Sequence, residues 1–394
     1  MKKLLLIGID TRSMLNSALK LDYEIYSTSY FSTQDTPAVK NQKIILKESY
    51  GESCGKFENQ FNSEILLEVS ADYIEEVDYI IPVSGVSPTD FSKNDRKKIL
   101  GNTEIGNIEN KFKFFKEIEN EFLTPMTFCV SDIGEVNEII KSYSNTRFIL
   151  KPLQGSGGYG VQLADNDLNL EFNDSKYIMQ EYVTGINLSS SVLASKSDAK
   201  TIINSRLLTE NDFENNNSFV YVGNIVPLSE KSIMSDVENI DEINYKMNET
   251  SERLSKKFNL IGSNGVDYIL NENGLYVIEI NPRIQGTFEC VEKSLKINML
   301  EAHIKACQGE IIDVRKPQYY SYKKIIYSPV RNKYENINLD NIYDLPHVGS
   351  ITEKSEPLLT IIDKDKDFEK LYKKVELTSE IVNKSIIEYR RGTK

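Results

Sequence analysis

Residues 264–283, NGVDYILNENGLYVIEINPR, carry the acidic and amide side chains from which chemistry can be argued first. Period-two alternation on both sides of the NENG segment predicts a β-hairpin, and Gly274 suits the left-handed position that closes a three-residue loop. A loop of that length places Asp267 opposite Glu279, and Asn281 shares their face because side chains two residues apart do so. Two carboxylates and an amide oxygen on one surface suit Mg²⁺. The alternative interpretation is a half-exposed hairpin whose polar face meets water.

Arg283 follows this hairpin directly after Pro282. A guanidinium beside a metal site can hold a carboxylate or a phosphate through two parallel hydrogen bonds. Its position therefore favours a ligand-binding hairpin over one that only faces water.

A glycine-rich segment lies in residues 147–163, RFILKPLQGSGGYGVQL. We expect a strand that ends at Lys151 and Pro152 and a second strand that begins near Val161. A dinucleotide fingerprint requires a helix after the glycines, but the residues that follow alternate like a strand. The GK[ST] end of a P-loop and the HRD motif of a kinase are also missing. The segment therefore predicts a hairpin loop whose backbone N–H groups fold over phosphates, with Lys151 adding a cation. The alternative is a plain tight turn.

Residues 176–191, KYIMQEYVTGINLSSS, predict two strands separated by a break at Thr184 and Gly185. Before the break, Glu181, Tyr182 and Val183 offer backbone donors and acceptors at an apolar connection. An adenine ring would suit such a place.

The first hundred residues alternate between apolar strands and helical patterns, which predicts a small parallel sheet flanked by helices. The expected strands are 3–8, 23–28, 44–46 and 77–83, and the expected helices are 12–21 and 63–76. No GxGxxG follows the first strand, so an NAD site is not expected there.

A helical region is predicted over residues 107–123, with Asn107 as a possible N-cap. Its phenylalanines recur near helical spacing and are expected in the core. Lys111 lies on another face, where a solvated side chain is the alternative to a ligand contact.

Composition describes an ordinary globular protein. The chain has 394 residues, of which 40% are hydrophobic and 27% charged, and its net charge of −12 argues against a nucleic-acid surface. The four cysteines, at positions 54, 129, 290 and 307, form no CxxC pair, which fits a reducing compartment rather than disulfides or zinc. The opening apolar run is too short for a signal peptide or a membrane span. We expect a cytoplasmic protein that does not bind membranes.

The C-terminal part changes character from about residue 314. Strands are expected at 319–327, 345–349 and 356–361, followed by a helix over 368–378. His347 is expected at the surface or in a turn, because no Cys or Ser partner pattern accompanies it. This segment is expected to pack against the preceding domain or to form a homodimer contact.

The order of these motifs resembles the ATP-grasp superfamily of carboxylate ligases. The matching pieces are Lys111, Lys151, the glycine loop GSGGYG, the hinge QEYVTG and the hairpin ending EINPR. The resemblance spans residues 107–309, and the pattern GSNGVDYIL…VIEINPR is similar to predicted archaeal-type carboligases related to biotin carboxylase. It implies an α/β (α+β) protein with an ATP-grasp fold over 106–312, a Rossmann-like parallel domain over 1–105 and a β-rich subdomain over 313–394.

The resemblance also implies roles for individual residues. ATP would be bound by Lys111, Lys151, Gly155, Ser156, Gly157, Gly158, Gly160, Glu181, Tyr182, Val183 and Asn187. Mg²⁺, with Mn²⁺ as an alternative, would be held by Asp267, Glu279 and Asn281. Arg283 would face the activated acid, and with Lys151 it would be catalytic.

One position departs from the family's pattern, and one further role is carried over on a weaker match. Many relatives have Glu where this chain has Asn187, so a bond to a ribose hydroxyl would lack a charge. Glu289 opens the helix after the hairpin and would line the substrate pocket. The alternative for Glu289 is the ordinary placement of an acid in a first helical turn.

The expected activity is ATP-dependent joining of a small carboxylate to an amine through an acyl phosphate. Phosphoryl transfer depends on charge neutralisation more than on a protein base, and the lysines, Arg283 and Mg²⁺ would supply it. Two alternatives stay open: a carboxylase that makes carboxyphosphate from bicarbonate, and a regulatory ATP-binding protein without turnover.

Overall fold

The computed structural model describes residues 1–46, 61–153, 160–164, 172, 176–212, 219–235 and 237–390. Within these ranges no helix is both long enough and apolar enough to cross a membrane. The predicted mixture of a parallel sheet followed by antiparallel sheets is confirmed.

The N-terminal part is a parallel sheet of order β3-β2-β1-β4 among the described residues. Its buried strands read as short apolar runs such as LLLIG, as strands covered on both faces do. Its elements are β1 (Lys2–Gly8), α1 (Arg12–Ala18), β2 (Tyr23–Ser29), β3 (Asn41–Ile44), α2 (Ser63–Val69), α3 (Ala71–Glu76) and β4 (Tyr79–Pro82).

A small antiparallel sheet follows, in the order β5-β8-β6-β7. The helix with the lysine of the ATP-grasp pattern leads into it and packs two phenylalanines, Phe114 and Phe115, into the core. The elements are α4 (Gly106–Glu109), α5 (Lys111–Ile118), β5 (Thr127–Val130), α6 (Ile133–Ser142), β6 (Phe148–Pro152), β7 (Gln162–Leu163) and β8 (Tyr177–Glu181).

The largest sheet begins in the middle of the chain and ends near its C-terminus. Its middle elements are β9 (Ile186–Ala194), β10 (Ala199–Thr209), β11 (Tyr221–Val226), α7 (Ile240–Lys257), β12 (Gly262–Asn271), β13 (Gly274–Asn281), α8 (Phe288–Leu295) and α9 (Met299–Cys307). The C-terminal part of the chain contributes β14 (Tyr320–Tyr327), β15 (Asn332–Lys333), β16 (Ile342–Tyr343), β17 (Ile351–Thr352), β18 (Pro357–Asp365) and α10 (Phe368–Ser385).

The described strands of this sheet run in the order β13-β12-β9-β10-β11-β14-β18-β16, while β15 and β17 pair separately. The C-terminal strands β14, β18 and β16 therefore continue the sheet that contains the hairpin. Helix α10 covers them with Phe368, Leu371 and Val375.

One hydrophobic core joins the N-terminal sheet to the rest of the molecule. Leu6 and Met14 of the first part pack in the same cluster as Phe288 of α8 and Leu300 of α9. This contact brings the carboxyl end of β4 towards the end of the hairpin β12–β13, which is where the site lies.

The hairpin has the predicted Asp267–Glu279 pair, but the predicted loop is wrong. Asn271 pairs with Gly274, so the loop has two residues, and the Asn271 Oδ1 accepts a hydrogen bond from the Asn273 N–H at 2.9 Å. A bulge between Asp267 and Tyr268 then shifts the register by one residue. The shift restores the pairing that a three-residue loop would have given.

Other boundaries also differ from the predictions. Asn110, not Asn107, caps the lysine-bearing helix, because its side chain accepts from the Lys113 N–H. The predicted helix 63–76 breaks at Ser70, whose Oγ donates to the Leu66 carbonyl at 2.6 Å.

The third strand is Asn41–Ile44 rather than 44–46, and the C-terminal helix extends to Ser385. Residues 345–349 form no strand. They connect β16 to β17 in a turn, where Gly349 has a φ of +92° and Pro346 cannot donate to a ladder.

Candidate functional site

A cleft opens between the small sheet and the hairpin of the large sheet. The predicted site residues that line it are Lys111, Lys151, Glu181, Tyr182, Val183, Asn187 and Glu279. Ile149, Ile269, Ile278 and Phe219 supply apolar walls around them. The structure thus brings together residues that lie up to 168 positions apart in the sequence, Lys111 to Glu279.

Lys151 is the next-to-last residue of β6, and its ammonium has a neutral hydrogen-bond partner. Its Nζ donates to the Gln180 Oε1 at 2.8 Å, and the Gln180 amide donates in turn to the Thr127 Oγ1 at 2.9 Å. Burial lowers the pKa of Lys151 to about 8, and the nearby Glu279 carboxylate opposes that shift while Lys111 adds to it. A partly buried ammonium whose hydrogen-bond partner is uncharged is suited to an anionic ligand.

Lys111 is the first residue of α5 and reaches across the cleft. Its Nζ lies 3.5 Å from the Glu279 Oε1. Two ammonium groups, those of Lys111 and Lys151, therefore flank one carboxylate, an arrangement that suits a polyanion together with a cation.

The polar face of the hairpin is already connected by hydrogen bonds. The Asp267 Oδ1 accepts from the Ser189 Oγ at 2.6 Å, and its Oδ2 accepts from the Asn281 Nδ2 at 2.8 Å. The Asn281 Oδ1 accepts from the Arg283 Nη2 at 3.1 Å. Burial, and then the Glu279 carboxylate, raise the pKa of Asp267 to about 6.

These residues fit a hard divalent cation. The described residues contain no group of three or more His, Cys, Asp or Glu side chains arranged for a metal. Asp267 and Glu279 nevertheless face each other in the hairpin register, with the amide of Asn281 beside them. The repulsion that raises the pKa of Asp267 is the interaction that a bound Mg²⁺ would reverse.

The predicted hinge lines the other end of the cleft. The Glu181 N–H donates to the Met126 carbonyl and the Tyr182 N–H to the Arg147 carbonyl, each at 2.8 Å. The Glu181 carboxylate accepts from the Met126 N–H at 3.1 Å. Both of these N–H groups are therefore already engaged by backbone carbonyls.

Asn187 stands on β9 at the edge of the cleft and pairs with Ile269 of the hairpin. Gly160 has a φ of +73°, a conformation that suits a glycine at a turn. The predicted loop residues Gly155, Ser156, Gly157 and Gly158 lie outside the described residues.

A second cavity adjoins the cleft and shares Lys111 and Glu279 with it. Its walls are the end of β4 with the following loop, the segment 99–109 and the end of the hairpin. Arg283 and Asn281 line this cavity rather than the first. The two spaces therefore meet at the hairpin's acidic face.

Similarity to known proteins agrees with this arrangement. Residues 108–287 match the model of the ATP-grasp domain family. They form an ATP-grasp domain.

Curated relatives point the same way. The chain is 27% identical over 370 residues to an uncharacterised protein of Methanocaldococcus jannaschii. This alignment covers 92% of this chain and 88% of the relative. It is 26% identical over 192 residues to the tyramine–L-glutamate ligase of the same organism. That alignment covers 48% of this chain and 51% of the ligase.

Solved structures share the fold around the ATP-grasp domain. The biotin carboxylase of Campylobacter jejuni aligns with a TM-score of 0.72 at 16% identity, covering 95% of this chain and 90% of that one. The N5-carboxyaminoimidazole ribonucleotide synthetase of Thermotoga maritima aligns with a TM-score of 0.70 at 15% identity, covering 97% and 98%.

Glu289, next to the ATP-grasp domain, has a partner that the sequence did not indicate. Its carboxylate forms two hydrogen bonds, at 2.9 and 3.0 Å, with the buried guanidinium of Arg12. The Nζ of Lys323 lies 3.7 Å away, and Asp344 binds the same guanidinium. Glu289 therefore ties helix α8 to the N-terminal part, and among the described residues it lines neither cavity.

Sequence reasoning missed the residues that orient the predicted ones. Ser189 lies opposite Asp267 only because β9 pairs with β12, and Gln180 reaches Lys151 across the β6–β8 pair. Gln285 donates to the Ser189 Oγ at 3.2 Å and to the Asp267 Oδ1 at 3.4 Å. Its place two residues after Arg283 was the one feature of the sequence that could have indicated a position near the site.

Proposed function

We propose that the protein is an ATP-dependent ligase that activates a carboxylate as an acyl phosphate and joins it to an amine. The observation that carries this proposal is the pair of adjoining cavities that share Lys111 and Glu279. The first cavity suits a nucleoside triphosphate, and the second suits an acid whose oxygen must reach the γ-phosphorus. The ATP-grasp domain over residues 108–287 supports the assignment of the first cavity.

In this proposal the nucleotide is held along the whole cleft. Val183 contacts adenine, Asn187 a ribose hydroxyl, and Lys111 and Lys151 the phosphate oxygens. Asp267, Glu279 and Asn281 would hold Mg²⁺, which neutralises charge on the transferring phosphoryl group when bound.

Arg283 orients the acid at the boundary of the two cavities. Its guanidinium can hold a carboxylate so that one oxygen lies in line with the γ-phosphorus. Attack by that oxygen forms the acyl phosphate and releases ADP. The amine nitrogen then attacks the carbonyl carbon, phosphate leaves, and the ammonium proton is lost to solvent.

Two kinds of relative support different candidates for the acid that is activated. The tyramine–L-glutamate ligase that resembles part of this chain joins an acid to an amine, as its name states. The likeness in fold to a Hydrogenobacter thermophilus biotin carboxylase domain, solved with bicarbonate bound, keeps bicarbonate as a second candidate for the activated acid.

The test is a product analysis with a library of acids, amines and bicarbonate. We expect ADP and phosphate in equal amounts for each amide, and one ¹⁸O atom transferred from a labelled carboxylate to phosphate. AMP and pyrophosphate, or phosphate without label, would contradict the acyl-phosphate route. Turnover that depends on bicarbonate alone would select the carboxylase.

A further inference from the structure

The second cavity, of about 410 Å³, has charges of both signs on its walls. Arg283 stands at the hairpin end, next to the proposed γ-phosphate position. Asp90 and Glu109 stand on the wall formed by the loop after β4 and the short helix α4. These two carboxylates differ in what they bind.

Asp90 is explained by the local backbone. Its Oδ2 accepts from the Ser87 N–H at 3.0 Å, and Ser87 accepts in return from the first turn of residues 88–90. This reciprocal pair is a capping box, so the Asp90 carboxylate holds the loop in place.

Glu109 has no comparable partner. The Ser87 Oγ approaches its Oε1 only at 3.4 Å, and among the described residues no Lys, Arg or His nitrogen lies within 4.0 Å of its carboxylate. Lys111 and Arg283 act on it from further away. Burial raises the pKa of Glu109. A half-buried carboxylate without a close counter-charge is unfavourable unless a ligand supplies one.

The surroundings of Glu109 suit an ammonium group rather than a metal. The hydroxyls of Ser87 and Thr89, 2.8 Å apart, line the same wall and can accept further hydrogen bonds. A primary ammonium has three donors, which one carboxylate and two hydroxyls would satisfy. The described residues hold no acidic cluster suited to a metal at this wall.

We infer that Glu109 binds a primary ammonium group of a substrate in the second cavity, opposite the carboxylate held at Arg283. The inference rests on the proposed ligase function. The ammonium could belong to the activated acid, which would then be an amino acid, or to the acceptor amine. Both sources share the chemistry that Glu109 recognises, and they are separated by experiment.

The experiment measures ADP release by the full chain with MgATP in two series. In the first series, each common α-amino acid is compared with the carboxylic acid that lacks its amino group, at a fixed mixture of primary alkylamines. In the second series, the alkylamine concentration is varied at a fixed acid. Both series are repeated with Glu109→Gln and with Glu109→Asp.

We expect Glu109→Gln to raise the KM of one substrate by about tenfold or more, because it removes a partly desolvated charge partner. The ATP KM should stay unchanged, and Glu109→Asp should recover part of the loss. A rise confined to the amino acids places the ammonium on the acid, and a rise confined to the alkylamines places it on the acceptor. The control is Glu104→Gln, which removes the same charge from an exposed position five residues away.

Unchanged KM values for both substrates in Glu109→Gln would overturn the inference and leave the ligase in place. The inference would also be overturned if the wild type released ADP equally with acids that have and lack the amino group and Glu109→Gln left the KM for alkylamines unchanged. Absence of ADP release with every acid and amine would overturn both proposals.

Discussion

The two cavities share a wall but are built from different kinds of segment. The nucleotide cleft is lined mainly by β6, β8, β9 and the hairpin β12–β13, all within the ATP-grasp domain. The second cavity combines residues 81–109 with 263–303, which are distant in the sequence. The cleft therefore lies within one domain, whereas the second cavity also depends on how the N-terminal part packs against α8 and α9.

This difference separates two properties of the enzyme. Residues of the cleft should determine how ATP binds, and residues of the second cavity should determine which acid and amine react. Glu279 and Lys111 belong to both, so changes there should affect every substrate together.

The largest effect is expected at Glu279, which lies in both cavities. Glu279→Gln keeps the shape but removes a proposed Mg²⁺ ligand, and we expect the kcat to fall by about 10²- to 10³-fold. Steady-state ADP release at several Mg²⁺ concentrations measures this. Glu272→Gln, in the exposed turn of the same hairpin, is the matched control. Normal turnover in Glu279→Gln would remove the residue from the metal site.

A smaller effect, confined to the nucleotide, is expected at Lys151. Lys151→Ala removes a proposed charged partner of the phosphates, so we expect the KM for ATP to rise by about 10- to 100-fold. The KM values of acid and amine should not change, which sharpens the distinction between the cavities. Lys141→Ala, on the exposed face of α6, serves as control. Equal effects on all three substrates would contradict the separation.

The pH dependence of ATP binding tests the same lysine. Lys151 has a pKa of about 8 because it is buried, so it is charged below that pH and neutral above it. The KM for ATP should therefore rise about tenfold from about pH 7 to pH 9, as the charged fraction falls. Lys151→Arg, which stays protonated, should flatten this profile. A wild-type profile that is already flat would argue against a phosphate contact.

The smallest effect is expected at Asn187, where the proposed contact with ribose is uncharged. Asn187→Ala should raise the KM for ATP by about twofold to tenfold, the range of one neutral hydrogen bond. Comparison with 2′-deoxy-ATP and 3′-deoxy-ATP identifies the hydroxyl, since the variant should lose its preference for ATP over one of them. If Asn187→Ala still discriminated against both analogues, Asn187 would not be the residue that binds a ribose hydroxyl.

Local patterns in the sequence determined most of the ATP-grasp domain. Alternation and turn residues predicted the hairpin, the strand that ends at Lys151, and the strands on both sides of Gly185, and all are confirmed. The Asp267–Glu279 pair was predicted for an incorrect reason, because a bulge replaced the extra loop residue. A bulge has no reliable local signal, since it depends on which strand pairs with the other edge.

Tertiary structure alone decided which residues surround the predicted ones. Ser189 and Gln180 became partners of Asp267 and Lys151 through strand pairing, and Arg12 became the partner of Glu289 through packing of the N-terminal part on α8. The second cavity arose in the same way, and so did the position of Glu109 on its wall, with no cationic side chain within 4.0 Å among the described residues. Periodicity reports which face of a strand or helix is apolar, whereas the neighbour of a polar side chain is fixed only when distant segments pack.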